Sequence, residues 1–140
     1  MIISFNTENQ AYFDLSRQIR YKVFVIEQQV PEELEYDEFE TESHHYLLFI
    51  DNIAVATCRW RYTVKGIKLE RFAVLPEYRG QGLGEQLVRH LLGEVLKENK
   101  PVYLHAQVQV TPFYSKLGFK PYGEIFEEAG IRHYLMVFEG

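Results

Sequence analysis

The sequence predicts one α/β domain over residues 1–140, in which helices pack on a mixed sheet. Short apolar runs bounded by turn residues mark strands, apolar residues spaced by four mark helices, and the two kinds alternate along the chain. At 140 residues the chain is long enough for one core and too short for two. Ten Phe and ten Tyr within a hydrophobic content of 46% exclude wholesale disorder.

Each element follows from local chemistry. MIISF is an apolar strand, and Thr7 with Gln10 matches a capping box that opens a helix. Tyr12, Leu15, Ile19 and Val23 give that helix a core-facing stripe. Pro31 and the acidic run after it end the helix in an extended or mobile connection. Tyr46–Ile50 and Ile53–Trp60 flank Asp51-Asn52, residues that tolerate hairpin turns, so they predict a β-hairpin. Lys65-Gly66 makes a second turn into IKLERFAVL, the third strand of a meander that Pro76 stops. From Gly84 to about Glu98 the period is helical, with Leu87, Leu91 and Val95 continuing from Leu83. Val102–Val108 is a further strand. Thr111 and Pro112 open a short helix that Gly118 closes, and Ile131–Phe138 is the last strand.

Charge and cysteine content narrow the function. Fifteen Lys or Arg against twenty Asp or Glu give a net charge of −5, which argues against a nonspecific nucleic-acid binder. Seven acidic residues lie between Pro31 and Glu42 and form either a solvated face or an acidic rim that attracts amines. Cys58 is the only cysteine, so it forms no intrachain disulfide and belongs to no thiolate metal cluster; its apolar setting predicts an inert buried thiol. The amino terminus lacks the basic start and apolar core of a secretory signal, and no apolar run spans a bilayer. A soluble, cytoplasmic protein is expected. The aromatic strands leave both a monomer and a homodimer open.

The most informative segment is FAVLPEYRGQGLGEQLVRHLL, where a strand, a glycine-rich turn and a helix follow one another. Gly80, Gly82 and Gly84 permit backbone angles closed to other residues, so amides converge on an anion at the helix N-terminus. Arg79 is placed to add a charged contact to a phosphate. The spacing is not the GxGxxG of a dinucleotide fold, and no GK[ST] follows as in a P-loop. An ordinary tight turn is the competing interpretation.

Arg79-Gly80-Gln81-Gly82-Leu83-Gly84 resembles the cofactor motif [QR]-x-x-G-x-[GA] of the GCN5-related N-acetyltransferase (GNAT) superfamily. The strand before, the helix after and TPFYSKLGF further on occur in that family's order. RYKVFVIEQQVP, the His44-His45 pair, HAQVQVTPFYSKLGF and EEAGIRHYLM resemble the small bacterial ElaA and YjcF-type branch, so the likeness covers most of the chain. The resemblance implies a strongly curved mixed sheet, helices on both faces, and two central strands splayed at a cleft that admits acetyl-CoA. It implies that the turn amides hold the pyrophosphate and that backbone around Phe72, Ala73 and Val74 binds the pantetheine arm and thioester oxygen.

The implied chemistry is direct attack of an amine, small-molecule or peptide, on the thioester. It needs orientation, carbonyl polarisation, a base and an acid for the departing thiolate. The resemblance places Tyr114 as that acid, although beside Phe113 it also reads as a packing aromatic. Glu70 corresponds to a strand glutamate that serves as base in several relatives, provided burial raises its pKa; pairing with a neighbouring cation is equally open. Strand alternation sets Glu70 on the side of Phe72 and Val74. Glu27 is the second candidate, as base or as a substrate-orienting group. His105, Gln107 and His133 are expected to line the acceptor cleft. Arg59 and Arg61 share another strand face, for an acidic substrate group or a surface salt bridge. His44, His45, His105 and His133 lack metal-site spacing, and no metal is expected. A noncatalytic acyl-CoA-binding module on the same scaffold is the alternative.

Overall fold

The computed structural model describes every residue from Met1 to Gly140. One seven-stranded sheet runs in the order β1-β2-β3-β4-β5-β7-β6. Its strands are β1 (Ile2–Phe5), β2 (His44–Ile50), β3 (Ile53–Thr63), β4 (Gly66–Val74), β5 (Val102–Gln107), β6 (Phe119–Glu128) and β7 (Ile131–Phe138). The helices are α1 (Gln10–Arg20), α2 (Glu32–Glu35), α3 (Leu83–Val95) and α4 (Thr111–Lys116). All pairings are antiparallel except β4 with β5. That parallel ladder has three positions, from Ile67↔Val102 to Leu69↔Leu104. No helix is long and apolar enough to cross a membrane.

Two apolar clusters fix the layers. Leu83, Leu87, Val88 and Leu91 of α3 pack with Tyr114 of α4 on one face of the sheet, against Cys58, Leu69, Leu104 and Met136. On the opposite face Ile19 of α1 and Val23 meet Leu47, Ala73 and Leu75. Complete burial of an aliphatic side chain is worth about 1.5–3 kcal/mol, so the α3 stripe alone anchors this layer strongly. Asp51 and Asn52 turn the β2–β3 hairpin with φ of 49° and 65°, as turn chemistry requires.

The α1 cap differs from expectation. Asn9, not Thr7, caps the helix, its side chain accepting the Tyr12 amide at 3.2 Å. Asn9→Ala therefore lowers stability by about 1 kcal/mol, readable as a shift in the urea midpoint. Beyond Arg20 the chain continues as a π-helical turn, Tyr21–Glu27, which keeps Val23 buried. Thr111 lies inside α4 rather than capping it, and its hydroxyl donates to the Val108 carbonyl at 2.9 Å.

One strand escapes the sequence pattern altogether. β6 contains Pro121 and Gly123, both strand breakers, and is largely exposed. It is an edge strand, where proline lacks no ladder partner, and its register shifts between Tyr122 and Phe126. Ala129 and Gly130, at φ of 53° and 76°, then turn the chain tightly into β7.

Candidate active site

A cavity of about 770 Å³ opens where the β4–β5 ladder ends. Its walls include Phe72, Ala73 and Val74 beyond the last paired residue of β4, and His105, Ala106 and Gln107 beyond that of β5. Arg79 and Gly84 reach it from the glycine turn, and Tyr114 from α4.

Two of the three glycines have the backbone the sequence suggests, whereas Gly84 lies within α3 and has no positive φ. Gly80 and Gly82 lie at φ of 82° and 79°, and a Cβ built on either meets nothing within 4 Å. Glycine is therefore required by backbone conformation and not by crowding. Gly82 caps α3 without a side-chain hydrogen bond, and the Gln86 amide is bonded to the Gly82 carbonyl. The preceding helical amides, Leu83 to Glu85, have no partner on an earlier turn of α3, and the positive helix end adds to their pull on an anion. The Leu83 side chain is buried in the core, so only its backbone is turned to the outside of the turn. Gln81 is exposed on the turn.

Arg79 and Glu27 are placed differently from the expected roles. The Arg79 guanidinium donates to both Glu27 carboxylate oxygens, at 2.6 and 2.7 Å, and its Nε donates to the Val74 carbonyl at 3.0 Å. Arg79 is thus a tie between strand end, turn and π-helical segment. Hydrogen bonding to Arg79 holds the Glu27 carboxyl below its ordinary range, and Glu27 is not among the residues lining the cavity.

Tyr114 is nine-tenths buried and packs edge-on against Phe72, Phe113 and Phe119. Burial raises its phenol far above the ordinary value, so it keeps its proton at neutral pH. Burial does the same to the Cys58 thiol, which is inert. Ala73 packs toward α1, on the face opposite Phe72 and Val74.

The sides of β4 invert at Arg71. Its φ is 62°, and the β3–β4 register shifts between Thr57 and Arg59, where β4 carries an extra residue. The bulge reverses alternation. Glu70 therefore shares a face with Ala73, not with Phe72 and Val74. It is also consumed by cations: Arg59 Nε donates to it at 3.0 Å, Arg61 Nε at 2.7 Å, and Lys68 Nζ lies 3.3 Å away. Burial alone would push its carboxyl up, but the charges of Arg59, Lys68, Arg71 and Arg61 outweigh it and hold it low. The raised pKa that a base at this position needs is absent.

The acidic run divides: Glu32, Glu33, Glu38 and Glu42 are exposed, as a solvated face requires, whereas Glu35, Asp37 and Glu40 turn inward onto arginines. Glu35 and Glu40 accept from buried Arg20 at 2.6 and 2.7 Å. Asp37 and Glu40 accept from buried Arg59 at 2.7 and 2.8 Å, and Asp37 also accepts from Arg71 at 3.1 Å. Arg59 thus lies in the interior, in neither of the surface roles that sequence suggested. Arg61 stacks over Phe39 at 3.7 Å.

His105, Gln107 and His133 come together on the cavity wall. Gln107 donates to Gln28 at 2.8 Å, and His133 Nδ1 lies 2.7 Å from the Ile131 carbonyl. His44 stacks on Trp60, whereas His45 is buried on the other face. No group of three His, Cys, Asp or Glu side chains assembles to hold a metal. Sequence reasoning missed Glu128, whose carboxylate is 3.0 Å from His105 Nδ1. Its signal was the position just before the Ala129-Gly130 turn, across from the strand of His133.

Residues 7–139 match the family model described as an acetyltransferase (GNAT) domain. Bacillus subtilis YyaT is 41% identical over 126 residues, 86% of this chain and 84% of that protein. The uncharacterized N-acetyltransferase YjcF of Bacillus subtilis is 38% identical, over 85% and 86% of the two chains. The crystal structure of Escherichia coli ElaA superimposes with a TM-score of 0.89 at 28% identity, covering 99% of each chain. A glycine turn, a short parallel ladder and these likenesses over nearly the whole chain place the protein in the GNAT acetyltransferase family, related to the ElaA and YjcF branch.

Proposed function

We propose that this protein transfers an acetyl group from acetyl-CoA to an amine, on a small molecule or a peptide, by direct attack. The observation that carries the reading is a single cavity bordered by both the anion-ready turn and the buried Tyr114 phenol. Amides around Gly80, Gly82, Leu83 and Gly84 suit a diphosphate, and the pantetheine arm would enter where the β4–β5 pairing ends, beyond Leu69 and Leu104. Backbone at Phe72 to Val74 then lies along that arm and polarises the thioester carbonyl. The coenzyme supplies the activated acyl group and a thiolate leaving group.

Tyr114 stays protonated until the thiolate departs, and then donates its proton. The Phe72, Phe113 and Phe119 rings fix its orientation. Tyr114→Phe removes only the hydroxyl, so kcat is expected to fall roughly 100-fold while coenzyme A affinity and melting temperature hold. Thiol release from acetyl-CoA over a panel of amines and peptides, with mass detection of the product, is the measurement. Unchanged turnover would remove Tyr114 from the chemistry. Coenzyme A binding with no product from any amine would favour an acyl-CoA-binding module instead.

A further inference from the structure

We infer that His105, oriented by Glu128, is the base that takes the proton from the attacking amine; this rests on the acetyl-transfer reading above. Two faces of the sheet divide the labour. Val102, Leu104 and Ala106 of β5 belong to the cluster that contains Tyr114. Strand alternation sends Tyr103, His105 and Gln107 to the other face. His105 is the first residue beyond the paired Leu69↔Leu104 position, at the fork between β4 and β5. Tyr114 from one face and His105 from the other both line the cavity at that end of the ladder.

Glu70 on the base side is occupied by Arg59, Arg61 and Lys68. His105 is bound differently. The Glu128 carboxylate at 3.0 Å accepts a hydrogen bond from Nδ1–H, which leaves the lone pair on Nε2. Phe126 packs edge-on against the ring at 4.9 Å and limits its rotation. The strained Ala129, at φ of 53°, turns the β6–β7 hairpin so that Glu128 and Ile131 both reach the cavity. Hydrogen bonding to His105 brings the Glu128 carboxyl down to about 2, so it remains an anion throughout the working range. Lys68 and His133 are the other charged or titratable groups facing this carboxylate, with His133 Nε2 3.9 Å from it, and Tyr103 packs beside His105.

The step balances without a further reactant. The amine nitrogen bonds to the carbonyl carbon and its excess proton passes to His105 Nε2. The carbon–sulfur bond breaks, and the sulfur takes the Tyr114 proton. Solvent then returns a proton from the imidazolium to the phenolate. The amide and a free thiol leave.

His105→Asn and His105→Gln are expected to lower kcat about 100-fold with little change in the KM for acetyl-CoA, and to abolish the ascending limb of kcat/KM against pH. Glu128→Gln lowers kcat less. Imidazole NMR on the free protein gives a readout independent of turnover: the Nδ1–H tautomer of His105 dominates in the wild type and is lost in Glu128→Gln. Wild-type turnover with an unchanged rate and limb in both folded His105 variants overturns the dyad alone. So does a wild-type His105 with its proton on Nε2. Absence of turnover by wild type toward every amine overturns the acetyl-transfer reading itself.

Discussion

Gly82→Val is expected to weaken coenzyme A binding by 100-fold or more, on the order of 3–6 kcal/mol, while the chain stays folded. The cause is conformational. Gly82 sits at φ of 79°, where a β-branched residue is a genuine outlier. No atom lies within 4 Å of a Cβ built there, so the substitution creates no clash with the core. The strain, about 1–3 kcal/mol, is relieved by rotation of the flanking peptides. That rotation turns away amides that would otherwise face a common anion. Losing a pair of hydrogen bonds to a charged group, each worth about 1.5–3 kcal/mol, gives the stated loss. Gly84→Ala should do far less, because Gly84 lacks the left-handed backbone and its Cβ would meet only the edge of Phe113 at 3.4 Å. Titration calorimetry with coenzyme A, beside thermal melts, decides. Wild-type affinity in a folded Gly82→Val protein would remove the turn from the binding site.

The turn was legible because its cause is local: closely spaced glycines, of which Gly80 and Gly82 take the left-handed region, and a helix stripe state their own backbone needs. The Asp51-Asn52 hairpin was legible for the same reason. Elsewhere the determinants are distant or compete. At the start of α1, Asn9 is the residue whose side chain reaches the Tyr12 amide, and a Thr7–Gln10 pattern cannot reveal that competition. The bulge at Arg71 reverses the sides of β4, so Glu70 ends on a face that simple alternation denies it. β6 carries two breakers that only its edge position excuses. Within the acidic run Glu35, Asp37 and Glu40 pair with Arg20, Arg59 and Arg71, which come from a helix and two strands. A linear charge pattern cannot show pairing of that kind. His105 was recognised as a cleft residue, but its partner Glu128 arrives through the hairpin turn. A catalytic pair is a property of the register between strands, which the single sequence does not display.

Arg59→Met should produce the largest loss of stability, about 3–5 kcal/mol. The Arg59 side chain is 1% exposed and is bonded to Asp37, Glu40 and Glu70. Methionine fills much of the volume and supplies none of the charge. Three carboxylates then lose a shared cation in a largely buried site. Truncating one member of such a group is costly even where replacing the whole group by apolar residues is not. For a chain of this length the loss corresponds to roughly 10–20 °C in melting temperature. The pH dependence carries a definite sign. Burial pushes the Asp37, Glu40 and Glu70 carboxyls up, but their arginine partners outweigh it, and all three lie below ordinary values in the fold. Their stabilising contribution is therefore complete above the unfolded carboxylate range, near pH 4, and is lost as pH falls through the lower folded values. Without Arg59, burial is opposed by fewer cations, so acid unfolding should begin at higher pH than in the wild type. Glu70→Gln in the Arg59→Met background removes one orphaned charge and should recover part of the loss. Urea denaturation from pH 3 to 8 on the wild type and both variants measures all of this. An Arg59→Met protein with wild-type stability and an unmoved acid limb would mean that the network holds no net charge balance for the fold.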